Sequence, residues 1–167
     1  MTFVVMLVSI VCGAVLQSFI PPLHWMGQSP APILLGLVLY YTLEHNRARM
    51  FQAAILAGFF QDTLSLVPLG YSSFCFCVAG AMVSRFKNVV FVHQWITHML
   101  FGALANAGVT LAMALLLIGN GLMVAGWSLI LAKTVGGLLL GAVIIPLEFW
   151  AVEALDRMMG NVEAREM

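Results

Sequence analysis

The sequence predicts an all-α fold, a polytopic integral-membrane helix bundle of six transmembrane helices forming a single domain over residues 1–167. Three observations carry that expectation. Of the 167 residues, 62% are hydrophobic and 8% are charged, a composition suited to lipid rather than water. Apolar runs cover most of the length, and the breaks between them are short stretches of Pro, Gly, Asn or charge, leaving no segment for a separate soluble domain. Basic residues follow every second run, so the loops alternate between basic ones and ones without any Lys or Arg.

A helix that crosses a hydrocarbon core of about 30 Å needs about 20 residues. The first run, 2–20, has no basic leader and ends in "QSFIPP" without a small-residue cleavage site, so it reads as a retained helix and not a secretory signal. Pro21 and Pro22 close it. Ser29 and Pro30 read as the cap and first turn of the second run, 30–44. That run rises only about 22 Å, short for a full crossing. A re-entrant second segment would leave the later runs in place and move the N-terminus to the other side. The third run is 50–66, and Pro68 and Gly70 turn the chain into the fourth, 71–85. "GNG" at 119–121 separates the fifth, 90–118, from the sixth, 126–155.

Arg47 and Arg49 follow the second run, Arg85 and Lys87 the fourth, and Arg157 and Arg165 the sixth. The opposite loops, 21–29, 67–70 and 119–125, contain no Lys or Arg. The positive-inside rule then makes the basic face cytoplasmic and puts both termini there. Tryptophan, which prefers the headgroup level, gives the same picture: Trp25 and Trp127 fall at the outer ends, Trp95 and Trp150 near the inner ones, with Tyr40 and Tyr41 closing the second run inside.

Against this apolar background "GFFQDTLSLVPLGYSS", residues 58–73, carries a charge. Counting thirteen residues up from Arg49 puts Asp62 about 20 Å above the inner face. Lys133, six residues into the last run from Trp127, lies about 9 Å below the outer face, at nearly the same depth. Either charge alone costs about 2.5–3.5 kcal/mol at mid-helix. Asp62 also stands near the C-terminal end of its helix, where the macrodipole disfavours an anion. Two readings stay open: the pair meets inside the bundle, tying the third helix to the sixth, or each charge reaches the interface or a polar cleft alone.

The other polar residues point to packing. Gln61 and Gln94 read as interhelical hydrogen-bond partners. Glu44, Glu148, Glu153 and Asp156 fall toward the cytoplasmic ends, where a solvated or Arg-paired face is expected. Gly137 and Gly141 form G-x-x-x-G, and "GALANAG" at 102–108 is a stripe of small residues, both signs of close helix packing. His93 and His98 are five apart and so on different faces, which makes a metal site improbable. Cys12, Cys75 and Cys77 are odd in number and sit in apolar runs, so they read as small hydrophobes and not a disulfide framework. There is no H-E-x-x-H, G-x-S-x-G or P-loop, so neither catalytic residues nor a cofactor are expected. Zero net charge and scattered basic pairs exclude nucleic acid as a partner class and leave lipid and other membrane proteins.

The run "PPLHWMGQSPAPILLGLVLYYTLEHNRARMFQAAILAGFFQDTLSLVPLGYSSFCF", residues 21–76, resembles the bacterial rod shape-determining protein MreD family. In that family a Gly, an Asp four residues on and a Pro-x-Gly turn mark the third helix and the loop after it. Gly58, Asp62, Pro68 and Gly70 match, and the rest of the chain is similar in length, hydropathy and helix count. The resemblance implies a non-enzymatic subunit of the cell-wall elongation machinery in the bacterial inner membrane. Such a subunit binds MreC and through it associates with MreB, RodA and the partner transpeptidase of RodA. Gly58, Asp62, Pro68 and Gly70, together with Lys133, are then the structural or partner-docking candidates. A rival from another class is the substrate-binding S component of an energy-coupling-factor vitamin transporter, similar in size and six-helix layout. There Asp62, Lys133, Trp25 and the 67–73 turn would line an outward-facing pocket.

Overall fold

The computed structural model describes residues 2–20, 30–44, 46–65, 67–86, 95–121 and 126–158. These residues form six helices, α1 (Thr2–Phe19), α2 (Ile33–Glu44), α3 (Arg47–Ser65), α4 (Tyr71–Phe86), α5 (Trp95–Gly119) and α6 (Trp127–Met158), with no strand among them. The expected all-α order is present. Gly70 and Gly121, both in breaks anticipated from the sequence, adopt positive φ values of 102° and 68°.

The second helix departs most from expectation. It starts at Ile33 and not at Pro30, because Pro32 has no N–H and disfavours helical geometry at Ala31 before it. The Pro32 carbonyl accepts the first bond of the helix, from Gly36 N–H at 2.9 Å, which makes Pro32 the cap residue. Ser29, the expected cap, lies outside the described residues. At 12 residues α2 rises about 18 Å. Every residue from Ile33 to Leu43 is buried, as its all-round apolar sequence demands. The helix packs against each of the other five and so forms the axis of the bundle.

The outer surface is apolar on those five helices. Leu7, Val11 and Val15 on α1, Phe51, Ile55 and Phe59 on α3, Phe74, Val78 and Met82 on α4, Leu100 and Leu104 on α5, and Leu131, Val135, Leu139 and Val143 on α6 are all exposed. The spacing of four places each set on one outward face. Polar groups lie inside, with Gln17, Thr42, Asp62, Ser72 and Asn106 buried. Apolar out and polar in is the arrangement a lipid solvent favours. By length and hydropathy, two helices among the described residues suffice to cross a membrane unaided, His98–Gly119 and Trp127–Ala154. Trp127 and Trp150 are exposed, and the side chains of Trp25 and Trp95 lie outside the described residues.

Small residues set the closest approach. The stripe at 102–108 and the G-x-x-x-G at 137–141 meet each other: a Cβ on Gly102 would stand 2.8 Å from the Gly141 carbonyl oxygen, and Asn106 Nδ2 donates to the Gly137 carbonyl at 2.6 Å. Gly141→Leu is expected to separate α5 from α6 and cost about 3 kcal/mol, because backbone and not a movable side chain blocks the new group. Thermal unfolding in detergent measures it, and an unchanged midpoint would refute the crossing.

Glu148 corrects another expectation. Its carboxylate is not on a solvated or Arg-paired face but packs on Gly36 of α2, where any Cβ would collide with it. Both carboxylate oxygens are buried with no hydrogen-bond partner among the described residues. The reason is that α6 runs for 32 residues, through Pro146 to Met158, so Glu148 sits within the packed length and not past its end.

Candidate functional site: helix caps borrowed across the bundle

Gly58 and Asp62 lie four residues apart on α3 and therefore share one face, the face that meets α4. A Cβ at Gly58 would fall on the backbone N and Cα of Ser73, so only glycine lets the two helices come this close. Ser73 Oγ donates to the Ile55 carbonyl at 3.2 Å beside that contact.

After Ser65 the chain turns through Pro68, Leu69 and Gly70 into α4. Gly70, at φ 102°, immediately precedes the first residue of α4, so the cap position carries no side chain that could accept an amide hydrogen. Asp62 supplies what is missing. Its Oδ2 accepts the Gly70 N–H at 2.6 Å and its Oδ1 accepts the Ser72 N–H at 2.9 Å. Asp62 is only 1% exposed, yet its carboxylate faces the N-terminal end of a helix, where the dipole favours an anion. The unfavourable dipole of α3 and the favourable one of α4 act on the same group, and the direct amide bonds decide the outcome.

Of the two readings left open for Asp62 and Lys133, a direct meeting is not seen. Among the described residues no ion pair joins them, and both carboxylate oxygens are occupied within the α3–α4 hairpin. The structure thus brings Gly58, Asp62, Pro68 and Gly70 together in one hairpin, while Lys133, half-buried on α6, lines a cavity with Gln61 and Ser72 of that hairpin without bonding to Asp62.

The same device recurs one helix earlier. Pro32 caps α2 and has no polar side chain to offer, and Gln17 of α1 fills the gap: its Oε1 accepts the Leu34 N–H at 3.3 Å. Gln17 Nε2 donates to Gln61 Oε1 at 2.8 Å, and Gln61 Nε2 donates to Ser65 Oγ at 2.9 Å. Gln61 is therefore the interhelical partner expected of it, whereas Gln94 lies outside the described residues. Sequence reasoning missed Gln17. The available signal was a polar residue near the end of one apolar run, followed by a next helix that opens on proline.

These caps border a partly open cavity of about 540 Å³ lined by residues from all six helices. Gln17, Ser18, Gln61, Ser65, Ser72, Asn106, Thr110 and Lys133 are the polar residues among those described that line it, and Asp62 is not one of them. Among the described residues no group of three His, Cys, Asp or Glu side chains could hold a metal ion, and the three cysteines are free.

A family model described as rod shape-determining protein MreD matches residues 1–155. No curated protein and no solved structure matches the chain.

Proposed function

Because the chain belongs to the MreD family of rod shape-determining proteins, we propose that it is a non-enzymatic membrane scaffold subunit of the bacterial cell-wall elongation complex, acting through MreC. The family match over residues 1–155 is the observation that carries this reading. The buried polar groups support it, since the caps and Asn106 serve helix–helix contacts and not chemistry. MreB, RodA and its partner transpeptidase would then associate indirectly, through MreC.

The proposed setting is the bacterial cytoplasmic membrane with six crossings and both termini inside. The apolar outer faces of five helices and the basic loops support it. The 12-residue α2 reaches across only with the segments that flank it. A reporter fused to the N-terminus is expected to read cytoplasmic, and an outside signal would sink the six-crossing arrangement.

Co-purification tests the partner. The tagged chain is expected to retain MreC after mild detergent extraction, and an intact, monodisperse chain that never retains MreC would overturn the scaffold reading. The cavity gives the vitamin-transporter alternative one specific support, because about 540 Å³ is the size of a small-molecule site. A bound vitamin together with absent MreC would favour that alternative.

A further inference from the structure

The cavity holds two groups that helix packing leaves unused. Lys133 is a cation on its wall, and none of the described residues lining it is an Asp or Glu. Ser72 also lines it, is only 1% exposed, and its hydroxyl oxygen is buried with no hydrogen-bond partner among the described residues. A buried hydroxyl without a partner is costly in an apolar surround, and an anion that accepts from it removes that cost, with the positive charge of Lys133 on the same cavity offsetting the repulsion from the Asp62 carboxylate, which holds the Ser72 N–H.

The remaining wall defines the rest of the ligand. Val109, Met113 and Leu117 recur at four-residue steps along α5, an apolar strip about 12 Å long, with Leu129 and Ile130 of α6 facing the same space. The volume, about 540 Å³, lies in the range of sites that enclose small molecules. We infer that this cavity is a binding site for an anion carrying an apolar body, with the anion held by Lys133 and Ser72 and the body lying along α5.

A phosphate or carboxylate on a short alkyl chain and the phosphodiester of an anionic lipid share this chemistry, so the experiment separates them. The full chain, purified in neutral detergent without MreC, is titrated with hexyl phosphate and with phosphatidylglycerol, and the thermal unfolding midpoint is followed. Hexanol and phosphatidylcholine are the counterparts without net charge. The expected result is a saturable rise with at least one anionic probe and none with its counterpart. A response to hexyl phosphate assigns a soluble ligand, and a response to phosphatidylglycerol alone assigns a lipid.

Lys133→Met is expected to weaken that binding roughly ten- to a hundredfold, the loss of one charge-assisted hydrogen bond. Ser72→Ala is expected to weaken it roughly three- to tenfold while leaving the ligand-free midpoint as high as before or higher, since it deletes a hydroxyl with no partner. A merely structural serine would lower that midpoint instead. Equal response to charged and uncharged probes overturns the inference, as does full affinity in Ser72→Ala, a variant that tests the site even if Lys133→Met fails to fold. A cavity built to seat a partner helix would give that equal response. Because MreC is absent throughout, the result is independent of the scaffold reading.

Discussion

Asp62→Ala is expected to lower membrane abundance sharply and to destabilise the purified chain by about 3–5 kcal/mol, since two charge-assisted amide bonds contribute roughly 1.5–3 kcal/mol each. That is a large part of the roughly 5–15 kcal/mol by which a typical protein is stable. The substitution removes the acceptor that the Gly70 and Ser72 amides have among the described residues, and nothing at Gly70 can replace it. Asp62→Asn is expected to be milder, about 1–2 kcal/mol, because one amide oxygen still accepts while its NH₂ faces a donor. Measuring abundance and MreC pull-down together decides the role of the residue. Normal abundance with lost MreC would mean that Asp62 serves docking and that its cap contributes little to folding.

Gly58→Ala sets two effects against each other. In an open helix alanine is favoured over glycine by up to about 1 kcal/mol. At Gly58 the added methyl would lie on the backbone N and Cα of Ser73, and overpacking of that kind costs about 1–3 kcal/mol or more, so the steric term wins. Gly108 is the internal control, since a Cβ there meets nothing within 4 Å. Gly108→Ala is expected to leave the midpoint unchanged or raise it, whereas Gly58→Ala lowers it and Gly58→Val abolishes the folded chain. Equal behaviour of the two alanine variants would show that α3 and α4 do not touch at Gly58. The two hairpin predictions are coupled, because a hairpin spread at Gly58 also draws the Ser72 amide away from Asp62.

Helix order and most helix ends, the start of α2 excepted, were legible in the sequence because apolar runs, prolines and glycines are local signals. The G-x-x-x-G and small-residue stripe were legible for the same reason, although only the structure shows them touching each other at Gly102 and Gly141. Partner choice was not legible. Depth along the helices put Asp62 level with Lys133, but a carboxylate binds whatever donor is nearest and best aimed. At Asp62 that donor is set by the turn at Gly70, which aims its own amide and that of Ser72 back toward α3. A clue was present nonetheless: α4 opens on glycine and α2 on proline, helix starts without a cap of their own, and each finds one on the preceding helix. Glu148 was misjudged because distance from the end of a run says nothing about which neighbour lies alongside.

The all-round burial of α2 has a consequence for biogenesis. The segment at the centre leaves the ribosome before α5 and α6, which complete its surroundings. A nascent chain halted after α4 would hold its hub open on one flank, so truncations there should be cleared by membrane proteases even though every earlier helix has been made.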